Sequence, residues 1–277
     1  DIDADRMEMD AGFSEGEWNA YLEQGKQKLR NYRDKRTRPG LDNKQLTSWN
    51  ALMLKGYVDA YRVFQEPHYL ERALTNAAFI QQHLEDGDGG LLHQPLIRGK
   101  ALPGFLDDYA FCIEAYIAIY EGTFEVGWLH KARALIDYVL THFYDENTAS
   151  FFYTSVRAER LIARKQEIMD NVVPSSTSSI VRSLNRIGLI FDEPKYIELA
   201  SQALANVVPQ MASYGSAYSN WAIQLLEEVF GCYEIVVTGP EWQSLRRALD
   251  QVYVPNKLIL GGTKDNLPLL SGKVGHT

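Results

Sequence analysis

The chain has 277 residues, 45% of them hydrophobic and 23% charged, with a formal net charge of −8. That is the balance of an ordinary soluble protein, long enough for one large domain or two small ones. The acidic balance argues against nucleic acid as a partner, and no apolar run approaches the roughly 20 residues of a membrane span.

The opening segment, "DIDADRMEMD", has no initiator Met, no signal-peptide pattern and no apolar periodicity, so a fragment of a longer protein is expected. Helical periodicity then predicts helices over 14–34, 47–65, 67–85, 107–121, 126–143, 174–191, 194–211, 216–230 and 241–252. "PHYLERA" (67–73) recurs 127 residues later as "PKYIELA" (194–200), and a weaker copy, "GWLHKA", starts at Gly127. Shared spacing at several positions is the mark of repeated structural units.

Each unit pairs two helices of different character. "YLERALTNAAFIQQHLE" (69–85) places Leu70, Leu74, Ala77, Ile80 and Leu84 on one face and polar residues on the other. "YAFCIEAYIAIY" (109–120) is apolar nearly all round, and "WNALMLKGYVDAYRVF" (49–64) is close to that, so both are expected to be buried on every side. Alternating buried and half-wet helices are what a closed double ring of helical hairpins requires. "DGDGGLLHQP" (86–95) and "DENTASFFYTS" (145–155) read as turns with short β excursions between units. A tetratricopeptide solenoid would repeat every 34 residues or so, which does not fit the spacing found. In the tail, "YEIVVTG" (233–239) and "NKLILGG" (256–262) read as strands flanking the last helix, a small β or βαβ appendage. The expected division is an N-terminal segment with the first helix (1–35), an all-α toroid core (36–230) and the appendage (231–277). "SGK" at 271–273 is not a phosphate-binding loop, because the upstream glycine position is Leu267.

If the inner helices run parallel, their N-termini gather at one end of the ring. Those starts read "LTSWN" (46–50), "FLDDYA" (105–110), "VVPSSTSS" (172–179) and "SAYSNWA" (216–222). Capping accounts for Thr47 or Ser48, Asp107, Ser175 or Ser176, and Ser216 or Ser219. It leaves a second aspartate and the neighbouring aromatics unexplained. Aromatics with carboxylates and amides around one cavity suit a sugar ring. The candidate catalytic residues are therefore Asp107, Asp108, Asp42 and Asp170, since glycoside hydrolysis needs two carboxyl groups. Candidate substrate-binding residues are Arg38, Lys44, Trp49, Asn50, Tyr109, Ser175, Ser176, Tyr218, Asn220 and His93. Salt bridging to Arg38, Lys44, Arg164 and Lys165 in the same loops is the structural alternative for the acids. His68, His83, His130 and His142 fall on outer helices; only His93 is placed to overhang the cavity. No metal-ligand spacing is present and no cofactor is implied. A serine-nucleophile elbow is missing too. Cys112 reads as a small buried hydrophobe, and with Cys232 it is too little for a disulfide framework, in keeping with a reducing cytoplasm.

"RPGLDNKQLTSWNALM", "FLDDYAF" and "RKQEIMDNVVPSSTSS" together resemble the YyaL / spermatogenesis-associated protein 20 family, from about Arg36 to Gly272 and in the same order. The resemblance implies an N-terminal thioredoxin-like domain, absent from this chain, joined to an (α/α)6 toroid similar to N-acylglucosamine 2-epimerases and six-hairpin glycosidases. It makes this chain an incomplete toroid, with that thioredoxin-like domain as a partner. Where the family carries Asn at the fourth position of "PSST", this chain has Thr177. The epimerases' pair of histidines has no counterpart here, which favours a hydrolase. Two functions follow as expectations. One is a carbohydrate-active toroid, glycoside hydrolase-like or epimerase-like, binding a small sugar or glycan at the inner-helix N-termini. The other is a non-catalytic binding or scaffold domain for the thioredoxin-like module.

Overall fold

The computed structural model describes residues 12–159, 162–262 and 267–272, so the opening decapeptide and Lys273 of "SGK" lie outside the described residues. The chain forms two compact units, 1–44 and 45–277.

In the first unit, helix α1 (Glu15–Arg33) starts at a capping box. The Ser14 N–H and hydroxyl donate to Glu17 Oε2 at 3.0 and 2.6 Å, which satisfies donors that a helix start leaves open. The Tyr21 ring stacks on those of Phe13 and Trp18, which meet each other at a tilt, along its first turns. After the helix, Arg38 pairs with Asp34 at 2.5 Å and Lys44 with Asp42 at 3.0 Å, all four side chains largely in solvent.

The second unit is an arc of helical hairpins. Helices α2 (Thr47–Phe64), α4 (Leu106–Thr123) and α6 (Ser176–Phe191) pack side by side as the inner row, followed by α8 (Ser219–Phe230). Helices α3 (Pro67–His83), α5 (Gly127–His142) and α7 (Pro194–Met211) each pack against the inner helix before them as the outer row. The repeated heptapeptide has a structural cause. Each inner helix ends on a residue in the left-handed region: Gln65 (φ 60°), Phe124 (φ 56°) and Asp192 (φ 52°). Their N–H groups return to Tyr61, Tyr120 and Gly188 carbonyls, closing the helix end and reversing the chain. Pro67 and Pro194 then open α3 and α7 at the one position where a missing N–H costs nothing.

The expected contrast between rows holds most fully at α4, where 15 of 18 residues are buried. Helix α2 departs from the expectation of burial on every side. Ala51, Leu54 and Val58 are buried, but Trp49, Met53, Val63 and Phe64 are mostly exposed. The reason is position: α2 stands at one edge of the arc, with an inner neighbour on one side only among the described residues. At the other edge, α8 likewise leaves Leu226, Val229 and Phe230 open.

Between hairpins the excursions are short. β1 (Tyr144–Asp145) pairs antiparallel with β2 (Ser150–Phe151). Isolated bridges Glu85–Leu91, Leu92–Pro103 and Phe152–Gln166 fix the other loops. In the appendage, β3 (Tyr233–Thr238) and β4 (Lys257–Gly262) pair in parallel, Tyr233 opposite Lys257, with α9 (Trp242–Asp250) between them in sequence: a βαβ unit. Gly261 is required by that packing. A Cβ there would stand 2.2 Å from the Val237 carbonyl oxygen and 2.5 Å from the Phe124 ring.

Candidate functional site

The inner helices converge at their N-termini through side chains that cross between them. Asp108, fully buried, is the third residue of α4. Its Oδ2 accepts the Phe105 N–H at 2.9 Å, capping its own helix, while Oδ1 accepts the Ser48 N–H at the start of α2 at 2.8 Å. The same Oδ2 lies 2.9 Å from His93 Nδ1. The loop carrying His93 is tied to α2 as well: the Thr47 N–H donates to the His93 carbonyl at 2.9 Å, and its hydroxyl to that of Leu92 at 2.5 Å. Hydrogen bonding to Asp108 raises the His93 pKa, against burial, with help from the Asp107 charge.

Asp107, one residue earlier, is half-buried, and its Oδ1 accepts the Asp108 N–H at 3.0 Å within the same first turn. Burial and the adjacent Asp108 charge push its pKa up to about 6, while His93 and hydrogen bonds from the Ser48 and Tyr153 side chains pull the other way. Tyr153 stacks on Phe105 with centroids 5.2 Å apart, and Phe105 also meets the His93 ring at 4.8 Å. Burial first, then the charges of Asp107 and Glu167, raise the Tyr153 pKa, so its hydroxyl lies in the field of both carboxyl groups.

Glu167 is the carboxylate that sequence reasoning missed. Its Oε2 accepts the Ser176 hydroxyl at 2.9 Å and the Ser176 N–H at 3.4 Å, at the first turn of α6. A helix N-terminus holds an anion in this way. The available signal was the spacing in "QEIMD": Glu167 and Asp170, three apart, both reach the start of α6.

Asp170 is spent on structure. Oδ1 accepts the Ser175 N–H at 2.9 Å and the Ser178 hydroxyl at 3.2 Å, and Oδ2 accepts the Asn220 N–H at 2.8 Å, which joins α6 to α8. Ser175 caps α6, accepting the Ser178 N–H at 3.1 Å, and the Asn220 amide donates to Ser178 Oγ at 2.9 Å. Thr177, where the family resemblance places an Asn, is buried with its hydroxyl lacking a hydrogen-bond partner among the described residues.

The remaining expected residues divide. Tyr109, expected as a stacking platform, is a core residue. It is 1% exposed, its ring stacks on Tyr138 and its hydroxyl accepts the Leu91 N–H at 2.8 Å. Tyr218 is buried too, donating to Gln210 Oε1 at 3.2 Å. For Tyr109 the reason is that a helix buried on nearly every side leaves no wet face. Trp49 is 69% exposed on the first turn of α2. The Asn50 side chain returns to the Leu46 carbonyl at 2.8 Å, and its own carbonyl accepts from the Asn76 amide at 2.9 Å. Arg38, Asp42 and Lys44 belong to the first unit, in the solvent-exposed pairs already described. Lys44 holds the Asp42 carboxyl below its usual range. Among the described residues no group of three or more His, Cys, Asp or Glu side chains is arranged to hold a metal ion, and no helix is long and apolar enough to cross a membrane.

No family model matches the chain. It is 29% identical over 248 residues to an uncharacterised protein of Caenorhabditis elegans, a match covering 85% of this chain and 34% of that protein. It is 26% identical over 266 residues to spermatogenesis-associated protein 20 of Rattus norvegicus, covering 91% of this chain and 34% of the relative. The chain thus spans about a third of the length of the curated relatives it matches. Among solved structures, the GH76 α-mannanase of Bacteroides thetaiotaomicron superposes with a TM-score of 0.56 at 16% identity, over 77% of this chain and 58% of that one. At that identity the likeness is one of fold. The chain is a relative of the spermatogenesis-associated protein 20 proteins, folded as an incomplete (α/α)6 toroid with a small βαβ appendage.

Proposed function

We propose that the second unit binds a glycan at the N-termini of α2, α4 and α6 and hydrolyses a glycosidic bond there. Asp107 is the general acid and Glu167 the opposing carboxylate. What supports this reading is a half-buried Asp107 with its pKa pushed up to about 6, together with Glu167 held at the first turn of α6 by the Ser176 hydroxyl at 2.9 Å. Glycoside hydrolysis uses two such groups in different protonation states, set apart by environment. Asp107 holds its proton to higher pH than an ordinary aspartate, up to about 6, because it is partly desolvated beside a second acid. Asp108 is a positioning residue: it fixes the start of α4, and so the direction of Asp107, through donors on two helices and His93. The Phe105–Tyr153 stack and the exposed Trp49 offer ring faces to sugar C–H groups.

The test is turnover of a glycan panel that includes α-mannan, with wild type, Asp107→Asn and Glu167→Gln. Loss of a general acid is expected to lower the rate by about 10²–10⁴-fold. Equal rates in wild type and Asp107→Asn would remove that residue from the mechanism.

The alternative is a non-catalytic scaffold for a thioredoxin-like domain. It is favoured by Asp108 and Asp170 both being used to join helices, and by relatives about three times as long. It expects no turnover on any glycan, with the two variants indistinguishable from wild type.

A further inference from the structure

A polar cavity lies at the end of the inner helices opposite to Asp107 and Asp108. Along α4, Glu121 stands thirteen residues beyond Asp108, about 20 Å at the helical rise. Here five charged side chains alternate in a ladder across four helices. Arg186 Nη2 of α6 meets Glu121 Oε1 at 2.5 Å, and Glu121 Oε2 accepts from Arg62 Nη1 of α2 at 2.8 Å. Arg62 Nε reaches Asp250 Oδ1 of α9 at 2.9 Å, and Asp250 Oδ2 accepts from Arg246 Nη1 at 2.5 Å. The ladder begins and ends on a cation, so three guanidiniums share two carboxylates.

The surplus does not stop there. Lys257, on β4 beside the ladder, donates only to the backbone carbonyls of Leu249 and Val252, both at 3.3 Å, and has no carboxylate partner among the described residues. Burial and the neighbouring Arg62 both lower its pKa. The Nε–H groups of Arg182 and Arg186 are buried without an acceptor. Arg182 is otherwise matched by Glu227 at 2.8 Å and Lys55 by Asp59 at 3.0 Å. Glu114 on α4 offsets one charge. A cavity of about 240 Å³ opens between Arg62, Glu121, Arg182, Arg186 and Lys257. At about 30 Å³ per water molecule, it has room for several waters or for one compact anion. Buried guanidiniums in excess of carboxylates are costly unless an anion completes the network, and arginine forks match tetrahedral oxyanions.

We infer that this cavity binds a phosphate group, free or carried on a sugar, at Lys257, Arg182 and Arg186. The site is independent of the hydrolytic reading, since it shares no residue with the Asp107–Glu167 end. Glu114 limits it to a single phosphate rather than a polyanion.

The test is calorimetric titration of the whole chain with inorganic phosphate, with mannose 6-phosphate and with mannose. Saturable binding of the two phosphates, and none of mannose, is expected, with affinity falling as salt rises. Tighter binding of mannose 6-phosphate would identify the carried group, and equal binding the free ion; either outcome supports the site. Lys257→Gln and Arg182→Gln are each expected to weaken phosphate at least tenfold, whereas Lys26→Gln on exposed α1 leaves it unchanged. A thermal shift of wild type in phosphate over chloride at equal ionic strength decides the matter even where a variant fails to fold. No saturable phosphate binding and no shift, or binding untouched in both folded variants, would overturn the inference.

Discussion

One oxygen of Asp108 accepts the N–H of Ser48 on the neighbouring helix at 2.8 Å while the other accepts the N–H of Phe105 on its own at 2.9 Å. A single buried carboxylate therefore closes two helix starts. Asn in its place keeps one acceptor oxygen and turns the other into a donor facing a donor. Asp108→Asn is expected to cost about 3 kcal/mol, the range for breaking buried hydrogen bonds to a charged group. Urea unfolding measures it, and a loss below about 1 kcal/mol would contradict the double-cap assignment.

Asp107 sets a pH dependence whose sign is fixed. Its carboxyl titrates about 6 in the folded chain against 3.8 for the free side chain. Between those values the native state holds more protons than the unfolded one, so stability falls as pH rises. His93 acts in the same direction. Its raised pKa gives stabilisation that is complete below its ordinary value of 6.5 and lost as pH rises through the folded value. Unfolding midpoints followed across pH are expected to show a shallower fall from 3.8 to about 6 in Asp107→Asn than in wild type. Identical slopes would rule out a raised Asp107 pKa.

The ladder and the exposed pairs differ in worth. Glu121→Gln leaves Arg186 without its carboxylate and Arg62 with Asp250 alone, and is expected to cost about 3–5 kcal/mol. Lys55→Gln removes only a solvent-screened i,i+4 pair with Asp59, for a change under about 0.5 kcal/mol. Denaturant melts of the two variants side by side check the ranking.

Gly261→Ala is expected to destabilise by about 1–3 kcal/mol, the cost of overpacking. Its methyl would collide with the Val237 carbonyl and the Phe124 ring, neither of which is a flexible chain end. A melting temperature unchanged from wild type would show that β3 and β4 separate at little cost.

Trp49→Ala separates binding from folding. The side chain is 69% exposed, so stability should stay within about 0.5 kcal/mol. Loss of glycan affinity without loss of stability is the outcome expected of a stacking surface, and intrinsic binding measurements on the variant check it.

Much of the arc was legible because its repeats carry their own punctuation. Pro67 and Pro194 mark outer-helix starts, and the apolar character of 109–120 matches a helix buried on nearly every side. Burial of α2 was overread, since composition reports how greasy a helix is and not whether a neighbour stands beside it. At the site, the adjacent aspartates were recognised but not their division of labour. Asp107 looks like an N-cap, yet α4 begins at Leu106 and the reach-back falls to Asp108 at the third position. Tyr109 was placed with the polar mouth because it is an aromatic beside the cap residues of an inner-helix start. One residue further around the helix is about 100° of rotation, enough to carry its ring into the core. Glu167 sits in an irregular loop, where no periodicity announces what a side chain touches.

The Arg186–Glu121–Arg62–Asp250–Arg246 ladder also decides where the polypeptide can be cut. Ending the chain after Phe230 would delete Asp250 and Arg246 and leave Arg62 with half its partners in the interior of the arc. The βαβ segment is thus a keystone rather than an ornament. The second unit should melt in one cooperative step that includes it, and an autonomously folding fragment must extend through Gly262.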